Sequence, residues 1–128
     1  MERLWSPWRY RYVSTVTPRD ECVFCAKQRA SNDEENLVLI RGEHNFVLLN
    51  LYPYTTGHLM VVPYAHVAAL DELDEAATNE MMALTRRSVA ALNSVYHPQG
   101  MNLGMNIGEC AGAGIAGHLH MHVLPRWA

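Results

Sequence analysis

The sequence predicts an α+β domain, in which an antiparallel sheet of five strands carries one long helix on one face. Two observations support this. Short apolar runs separated by turn residues occur in both halves of the chain, and one longer segment between them repeats its apolar residues at helical spacing. With 128 residues, of which 49% are hydrophobic, the chain fits a single domain with one core.

The first half predicts three strands. The apolar runs Leu37–Arg41 and Asn45–Leu51 flank a turn at Gly42. The run Gly57–Pro63 ends at a proline, which cannot donate a hydrogen bond within a sheet. The polar residues 26–36 that precede these runs predict a linker or a short exposed helix.

The long helix is predicted over Asp71–Tyr96. Its apolar residues between Ala77 and Val95 recur every three or four positions and form one stripe. Acidic residues begin the segment, where the helix dipole favours negative charge, and Pro98 and Gly100 follow its end.

Two more strands follow the helix. Met101–Ile107 alternates apolar and polar residues, a glycine-rich loop (GECAGAGIAG) comes next, and HLHMHVL then has histidine at every second position. Alternate side chains of a strand point to opposite faces. We therefore expect the apolar residues to pack under the helix, and Asn106, His118, His120 and His122 to face the other side.

Composition excludes several classes of function. The net charge of −3 does not indicate an acidic or basic partner, and no apolar run reaches the roughly 20 residues that span a bilayer. Because the start of the chain lacks a signal-peptide core, we expect a soluble, cytoplasmic protein without nucleic-acid or membrane partners. Residues 1–20 form an N-terminal arm whose alternating aromatic residues and arginines either stack on bases or pack on the protein; the second interpretation is favoured because no other segment is basic.

The three cysteines are not expected to form disulfides. An odd number, in a chain without an export signal, argues against a disulfide framework. Cys22 and Cys25 form a C-x-x-C motif, which indicates a metal site or a redox pair, whereas Cys110 is isolated. Metal is favoured, because a redox motif normally opens a helix after a strand and the preceding TPRDE is typical of a loop.

The histidine alternation itself indicates chemistry. Side chains two residues apart on a strand form a row with a spacing of about 7 Å. Neighbouring imidazoles disfavour each other's protonation, so at least one stays neutral near pH 7 and can act as nucleophile, base or metal ligand. The alternative is a half-exposed strand that uses histidine as its polar residue, but chance rarely places three histidines in phase.

HLHMHVL resembles the signature of the histidine triad (HIT) family, His-φ-His-φ-His-φ-φ with φ apolar. NLYPYTTGHLMVVPYAHV and LPRW are also similar to the family, and the similarity covers residues 20–127. Together with RLWSPWRYRYV, these segments are most similar to the branch that includes diadenosine tetraphosphate phosphorylases. The resemblance implies a single HIT domain over residues 1–128, a five-stranded sheet with one long and one shorter helix, and a homodimer with a continuous sheet. Family members usually continue further past the triad, so the tail after His122 is expected to be short or missing.

The resemblance also implies a reaction. It implies nucleotidyl transfer or hydrolysis at the α-phosphate of a dinucleoside polyphosphate such as diadenosine tetraphosphate. His120 would attack phosphorus and form a covalent AMP–histidine intermediate, and His122 would contact a phosphate oxygen or protonate the leaving group. The implied nucleotide-binding residues, besides His122, are Asn50 at the ribose, Asn106 at the phosphate, and the backbone of Gly112, Ala113, Gly114 and Ile115.

Zinc-containing members of the family imply a structural zinc site here. Its ligands would be Cys22, Cys25, His66 and His118, four ligands that leave no open position for water. Reduced, packed cysteines without metal are the alternative, and His44 is a rival ligand. His58 matches a position that supports the site, and we interpret it as structural.

Two other functions remain open from the sequence. One is hydrolysis of an adenosine phosphoramidate in the same fold. The other is a zinc-stabilised module that binds a nucleotide or a partner without turnover.

Overall fold

A computed structural model describes residues 22–50 and 56–128 of the chain. The predicted N-terminal arm and the end of the second predicted strand lie outside these residues. In chain order the regular elements are α1 (Val23–Arg29), β1 (Val38–Arg41), β2 (Asn45–Leu49), β3 (Leu59–Pro63), α2 (Glu75–Tyr96), β4 (Gly100–Gly104) and β5 (Met121–Arg126). Short 3₁₀ helices occupy Leu70–Glu72 and Glu109–Ala111.

The strands form one antiparallel sheet in the order β1-β2-β3-β5-β4. The first three strands form a meander, and the chain then crosses through α2 to β4 before β5 returns between β3 and β4. The strand that carries the end of the histidine motif is therefore internal, with paired neighbours on both sides. The α+β class, the five-stranded antiparallel sheet, and one long and one shorter helix are confirmed.

One face of the sheet packs under α2. Apolar side chains from β2, β3 and the histidine segment meet the buried stripe of the helix; the set includes Val47, Leu59, Val61, Leu119, Met121 and Val123 with Ala77, Met81, Leu84 and Leu92. The prediction that the apolar residues of the last two strands pack under the long helix is therefore confirmed for those between the histidines and for Met101 and Met105. It is wrong for Leu103 and Ile107, which are exposed.

A second apolar cluster covers the opposite face, which was not predicted. Helix α1 and the Cys22 that precedes it contribute Cys22, Phe24 and Cys25 to this cluster. The other members come from β1, β2, β3 and the glycine-rich loop: Val38, Phe46, Leu48, Met60, Val62 and Ile115. The helix begins earlier than the exposed helix predicted within residues 26–36. Its buried residues lie before the polar stretch on which that prediction depended.

The boundaries of two other elements differ from prediction for local reasons. Strand β1 begins one residue late, because Leu37 has a left-handed backbone with φ of 64°. Helix α2 begins at Glu75 and not at Asp71, because the Asp74 side chain caps it by accepting the Ala77 N–H at 2.8 Å. The helix ends where it was predicted to end.

The last two strands are shorter than predicted at one end. Strand β4 stops at Gly104, which pairs with His122, instead of reaching Ile107. Strand β5 begins at Met121, so His118 and His120 precede it and the predicted strand is wrong there. The cause is a non-local bond, because the Leu119 N–H donates to the Val67 carbonyl at 2.7 Å and not to a neighbouring strand.

Among the described helices, none has the length and apolar character needed to cross a membrane.

Glu80 of α2 holds the β1–β2 turn in place. Its carboxylate accepts the backbone N–H groups of Glu43 and His44, each at 2.8 Å, and the Asn45 Nδ2 at 2.9 Å. Burial raises the pKa of Glu80, but the hydrogen bonds from the Asn45 side chain and from the turn outweigh it, so the pKa lies below its usual value. The charged form of Glu80 therefore stabilises the fold.

We expect Glu80→Gln to lower the free energy of unfolding at pH 7 by about 1–2 kcal/mol. This value is at the low end for hydrogen bonds to a charged group, because solvent screens the partly exposed carboxylate. A glutamine amide presents N–H where the turn needs acceptors. Because the folded pKa is depressed, the contribution of the carboxylate is present above the unfolded pKa and is lost as the pH falls through the folded one. Urea denaturation at neutral and acidic pH measures the difference, which should narrow in acid.

Glu34→Gln, on an exposed turn, is the matched control and should change stability little at either pH. A Glu80→Gln protein as stable as the parent at pH 7 would contradict the assignment.

Candidate active site and metal site

The three alternating histidines are buried. His118, His120 and His122 are 0%, 5% and 8% exposed, which excludes the half-exposed strand that was the alternative interpretation. Their rings face the side of the sheet opposite α2: Phe24 of α1 contacts the rings of His118 and His120, and the rings of His120 and His122 are 4.7 Å apart between centroids. The predicted common face is therefore confirmed, although only His122 belongs to a paired strand.

The structure brings the four predicted metal ligands together. His118 Nδ1 lies 3.4 Å from Cys22 Sγ, 3.6 Å from Cys25 Sγ and 3.2 Å from His66 Nδ1, and Cys25 Sγ lies 3.3 Å from that same His66 atom. All four ligand atoms lie within 4.8 Å of one another. Both cysteines are buried, and they form no disulfide.

The tautomer of His118 suits metal binding. Its Nε2 lies 2.8 Å from the Pro63 carbonyl oxygen, which can only accept, so Nε2 carries the proton and Nδ1 presents its lone pair to the cysteines. Burial lowers the pKa of His118 to about 4; the hydrogen bond to Pro63 opposes this shift, and nearby His66 and His120 add to it. The imidazole is therefore neutral at pH 7, as a ligand must be.

The spacing of these atoms fits zinc. With bond lengths of about 2.3 Å to sulfur and 2.0–2.1 Å to nitrogen, a tetrahedral zinc ion separates a sulfur and a nitrogen ligand by about 3.6 Å, and two nitrogen ligands by about 3.3 Å. The observed sulfur–nitrogen distances of 3.3–3.6 Å and the nitrogen–nitrogen distance of 3.2 Å agree. His44 is not part of the cluster; it lies in the β1–β2 turn beside Glu43.

His120, the predicted nucleophile, also has a defined tautomer. Its Nδ1 lies 2.8 Å from the backbone carbonyl oxygen of His118. The carbonyl only accepts, so Nδ1 is the protonated nitrogen of the neutral ring. The Nε2 atom then holds the lone pair, which makes it the basic and nucleophilic atom of this imidazole.

His122 is oriented by a hydrogen-bonded chain through Asn50 and His58. Asn50 Nδ2 lies 3.2 Å from His58 Nδ1, and His58 Nε2 lies 2.8 Å from His122 Nδ1. Since an amide nitrogen only donates, neutral His58 carries its proton on Nε2 and donates it to His122 Nδ1. Neutral His122 is thereby left with its proton on Nε2.

His58 was predicted to be a structural residue that supports the site. It is buried and bonds directly to a triad histidine, a specific partner that sequence reasoning did not identify. The β3–β5 pairing explains this: Met60 pairs with His122, and His58, two residues before Met60 along the chain, shares its face of the sheet. No local pattern in the sequence indicates this bond, because it depends on the pairing of two strands that are distant in the chain.

Some backbone N–H groups of the glycine-rich loop donate hydrogen bonds within the loop itself. The Gly112 N–H donates to the Glu109 carbonyl at 2.9 Å and the Ala113 N–H to the Gly108 carbonyl at 3.2 Å. Within the described residues, the N–H groups of Gly114 and Ile115 have no such acceptor. The phosphate contact of this loop stays a prediction, and Gly114 and Ile115 are the loop residues whose backbone N–H groups are not used within the loop.

The remaining predicted residues lie at the margins of the site. Asn106 is half-buried, two residues beyond Gly104, the β4 residue that pairs with His122. Cys110 is exposed in the short 3₁₀ helix of the loop, and His97 is exposed at the end of α2.

Sequence comparison finds two informative matches. The family model described as "HIT domain" matches residues 31–128. The AP-4-A phosphorylase of Mycobacterium tuberculosis is 40% identical over 134 aligned residues, which cover 99% of this chain and 69% of the relative.

Solved structures share the fold. A HIT family protein from Bacillus anthracis superposes with a TM-score of 0.73 at 26% identity, covering 85% of this chain and 75% of that one. A zinc-bound histidine triad family protein from Mycobacterium smegmatis superposes with a TM-score of 0.71 at 28% identity, covering 85% of this chain and 77% of that one.

Proposed function

This chain is an enzyme that belongs to the HIT domain family, and we propose that it transfers AMP from a dinucleoside polyphosphate through a covalent intermediate on His120. The observation that carries the proposal is the hydrogen bond from His120 Nδ1 to the His118 carbonyl, because it leaves the lone pair on Nε2. Similarity to an AP-4-A phosphorylase favours diadenosine tetraphosphate as the substrate.

The first step divides one displacement into two. His120 Nε2 attacks the α-phosphorus, a nitrogen–phosphorus bond forms, and the bond to the bridging oxygen breaks to release ATP. The ring becomes cationic because Nδ1 keeps its proton. The carbonyl of His118 stabilises that charge by accepting the same hydrogen bond in shorter, charge-assisted form.

His122 acts on the phosphate oxygens or on the leaving group. The hydrogen-bonded chain from Asn50 through His58 leaves the proton of His122 on Nε2. His122 can therefore donate a hydrogen bond where negative charge develops on the phosphate or the leaving group. The backbone N–H groups of Gly114 and Ile115 supply further donors to the phosphate. We assign Asn106 to the phosphate and Asn50 to the ribose as the family resemblance implies.

The second step returns His120 to its starting state. Orthophosphate or water attacks the same phosphorus, the nitrogen–phosphorus bond breaks, and the electron pair returns to Nε2. Orthophosphate gives ADP, whereas water gives AMP. Phosphorolysis and hydrolysis therefore differ only in the molecule that enters at this step.

We expect the protein to convert diadenosine tetraphosphate to ATP and ADP when orthophosphate is present, measured by chromatography of the products. His120→Ala should lower kcat by at least about 1000-fold while folding is retained, because no other nitrogen replaces the nucleophile. His97→Ala, at an exposed helix end, is the matched control and should keep the parental rate.

The alternatives give different products. AMP release from an adenosine phosphoramidate, without turnover of the dinucleotide, would support the phosphoramidate hydrolase. Nucleotide binding without turnover of any AMP ester or amide would support a binding module. A His120→Ala variant with near-normal rates would rule out the covalent mechanism.

We also propose that Cys22, Cys25, His66 and His118 hold a structural zinc ion. Support comes from the tetrahedral spacing, from the neutral His118 tautomer, and from two thiolates that balance the charge of the ion. Four protein ligands leave no position for water or substrate. The ion would connect α1 to the residue two positions before the nucleophile, and it would take no part in the reaction.

Zinc analysis of the purified, reduced protein should give about one ion per chain, the number that one four-ligand site predicts. Cys22→Ser should reduce that number several-fold and lower the melting temperature, because folding and metal binding are coupled. Cys110→Ser removes the exposed thiol and should retain zinc. Equal zinc content in the two variants, or none in the parent, would refute the site.

We propose, finally, that the chain pairs as a homodimer. Strand β4 is at the end of the strand order, and large apolar side chains remain exposed at Val95, Leu103 and Trp127. A cytoplasmic location, the lack of nucleic-acid and membrane partners, and a single domain with an N-terminal arm stay predictions from the sequence.

A further inference from the structure

In the sequence, Phe24 lies between the two cysteines of the metal cluster, and its ring contacts the rings of two triad histidines. Its ring is 5.4 Å from that of His118 and 4.9 Å from that of His120, measured between centroids, and the side chain is 2% exposed. Neither the metal site nor the proposed reaction uses this residue. Its position directly against the nucleophile therefore requires its own explanation.

The hydrogen bond of His120 does not fix its ring alone. A hydrogen bond at Nδ1 tolerates a range of distances and angles, so within that range the imidazole can still turn about its side-chain bonds, which moves Nε2 through an arc. The His122 ring contacts His120 at a centroid distance of 4.7 Å and an interplanar angle of 71°. Phe24 contacts it at an angle of 53°. Together, these two rings limit the rotation that the hydrogen bond permits.

The position of Phe24 is fixed because α1, which carries it, is attached to the rest of the protein at both of its ends. At the start of the helix, Cys22 and Cys25 belong to the metal cluster. At the end of the helix, Arg41 of β1 donates to the carbonyl oxygens of Gln28 at 2.9 Å and Ala30 at 3.1 Å. Arg41 is anchored in turn by Asp33 at 2.7 Å. A seven-residue helix is not stable alone, so these attachments determine where Phe24 lies.

We propose that Phe24 is a positioning residue that holds the His120 imidazole with its Nε2 directed at the substrate phosphorus, and that it thereby couples the metal cluster to the reaction. Catalysis depends on such alignment, since small displacements of a reacting atom reduce rates strongly. The part of this proposal that concerns rate rests on the proposed function of His120.

The test compares Phe24→Leu with Phe46→Leu, both in the zinc-loaded protein. Phe46 is fully buried in the same cluster, but its ring stacks on Tyr64 at 5.5 Å and, within the described part of the chain, makes no ring contact with a triad histidine. Each variant thus loses one buried aromatic ring from the same face of the sheet. Zinc content and melting temperature are measured for both, with kcat and KM for diadenosine tetraphosphate.

We expect Phe24→Leu to lower kcat about 10- to 100-fold, because a misplaced nucleophile slows the chemical step, with KM changed by less than about twofold. Phe46→Leu should keep the parental kcat even if it lowers the melting temperature as much. Equal kcat losses in the two variants would overturn the proposal. A kcat loss that follows zinc loss would overturn it too, because the ring would then act by retaining the metal.

A second measurement does not depend on turnover. Long-range ¹H–¹⁵N spectra of the parent should show His120 protonated at Nδ1 only, and Phe24→Leu should broaden this signal or mix the two tautomers, whereas Phe46→Leu should leave it unchanged. An unchanged His120 signal in Phe24→Leu would overturn the positioning role. A parent without turnover would instead refute the proposed function, while this spectrum would still test Phe24.

Discussion

The chemistry of this site depends on one local hydrogen bond, from His120 Nδ1 to the carbonyl of the residue two positions earlier. A backbone carbonyl can only accept, so the bond decides which ring nitrogen of the proposed nucleophile holds the lone pair. The Pro63 carbonyl fixes the tautomer of His118 in the same way. The Asn50 amide nitrogen can only donate, so it fixes the tautomer of His58 and, through the bond from His58, that of His122. In each case a fixed partner, a backbone carbonyl or the Asn50–His58 pair, determines which nitrogen of the neutral ring carries the proton.

These hydrogen bonds persist only if the histidine segment is buried on both faces of the sheet. The α2 core holds Leu119, Met121 and Val123, which alternate with the histidines, and the α1 cluster covers the histidine rings. A buried imidazole cannot exchange its hydrogen bonds for water, so its tautomer persists. The metal cluster lies where these two requirements meet, because His118 is both a ligand candidate and the acceptor that orients His120.

Much of this arrangement could be predicted from the sequence, because it depends on local alternation. The apolar residues between the histidines are on the α2 side, and the four metal-ligand candidates meet, as expected. What could not be predicted depends on distant residues. Strand β5 begins later than predicted because the Leu119 N–H bonds to the Val67 carbonyl. Helix α1 is held by Arg41, which belongs to β1. The bond from His58 to His122 follows from the pairing of β3 with β5, which are separated in the chain by a crossover. None of these contacts leaves a periodic trace in the chain.

The most direct test of the account is the location of the covalent AMP group. Protein quenched during turnover of labelled diadenosine tetraphosphate, in the absence of orthophosphate, is digested and examined by mass spectrometry and ³¹P–¹⁵N correlation. We predict a phosphorus–nitrogen bond at Nε2 of His120. A bond at Nδ1, a label on another residue, or substrate consumption without any adduct would contradict the account.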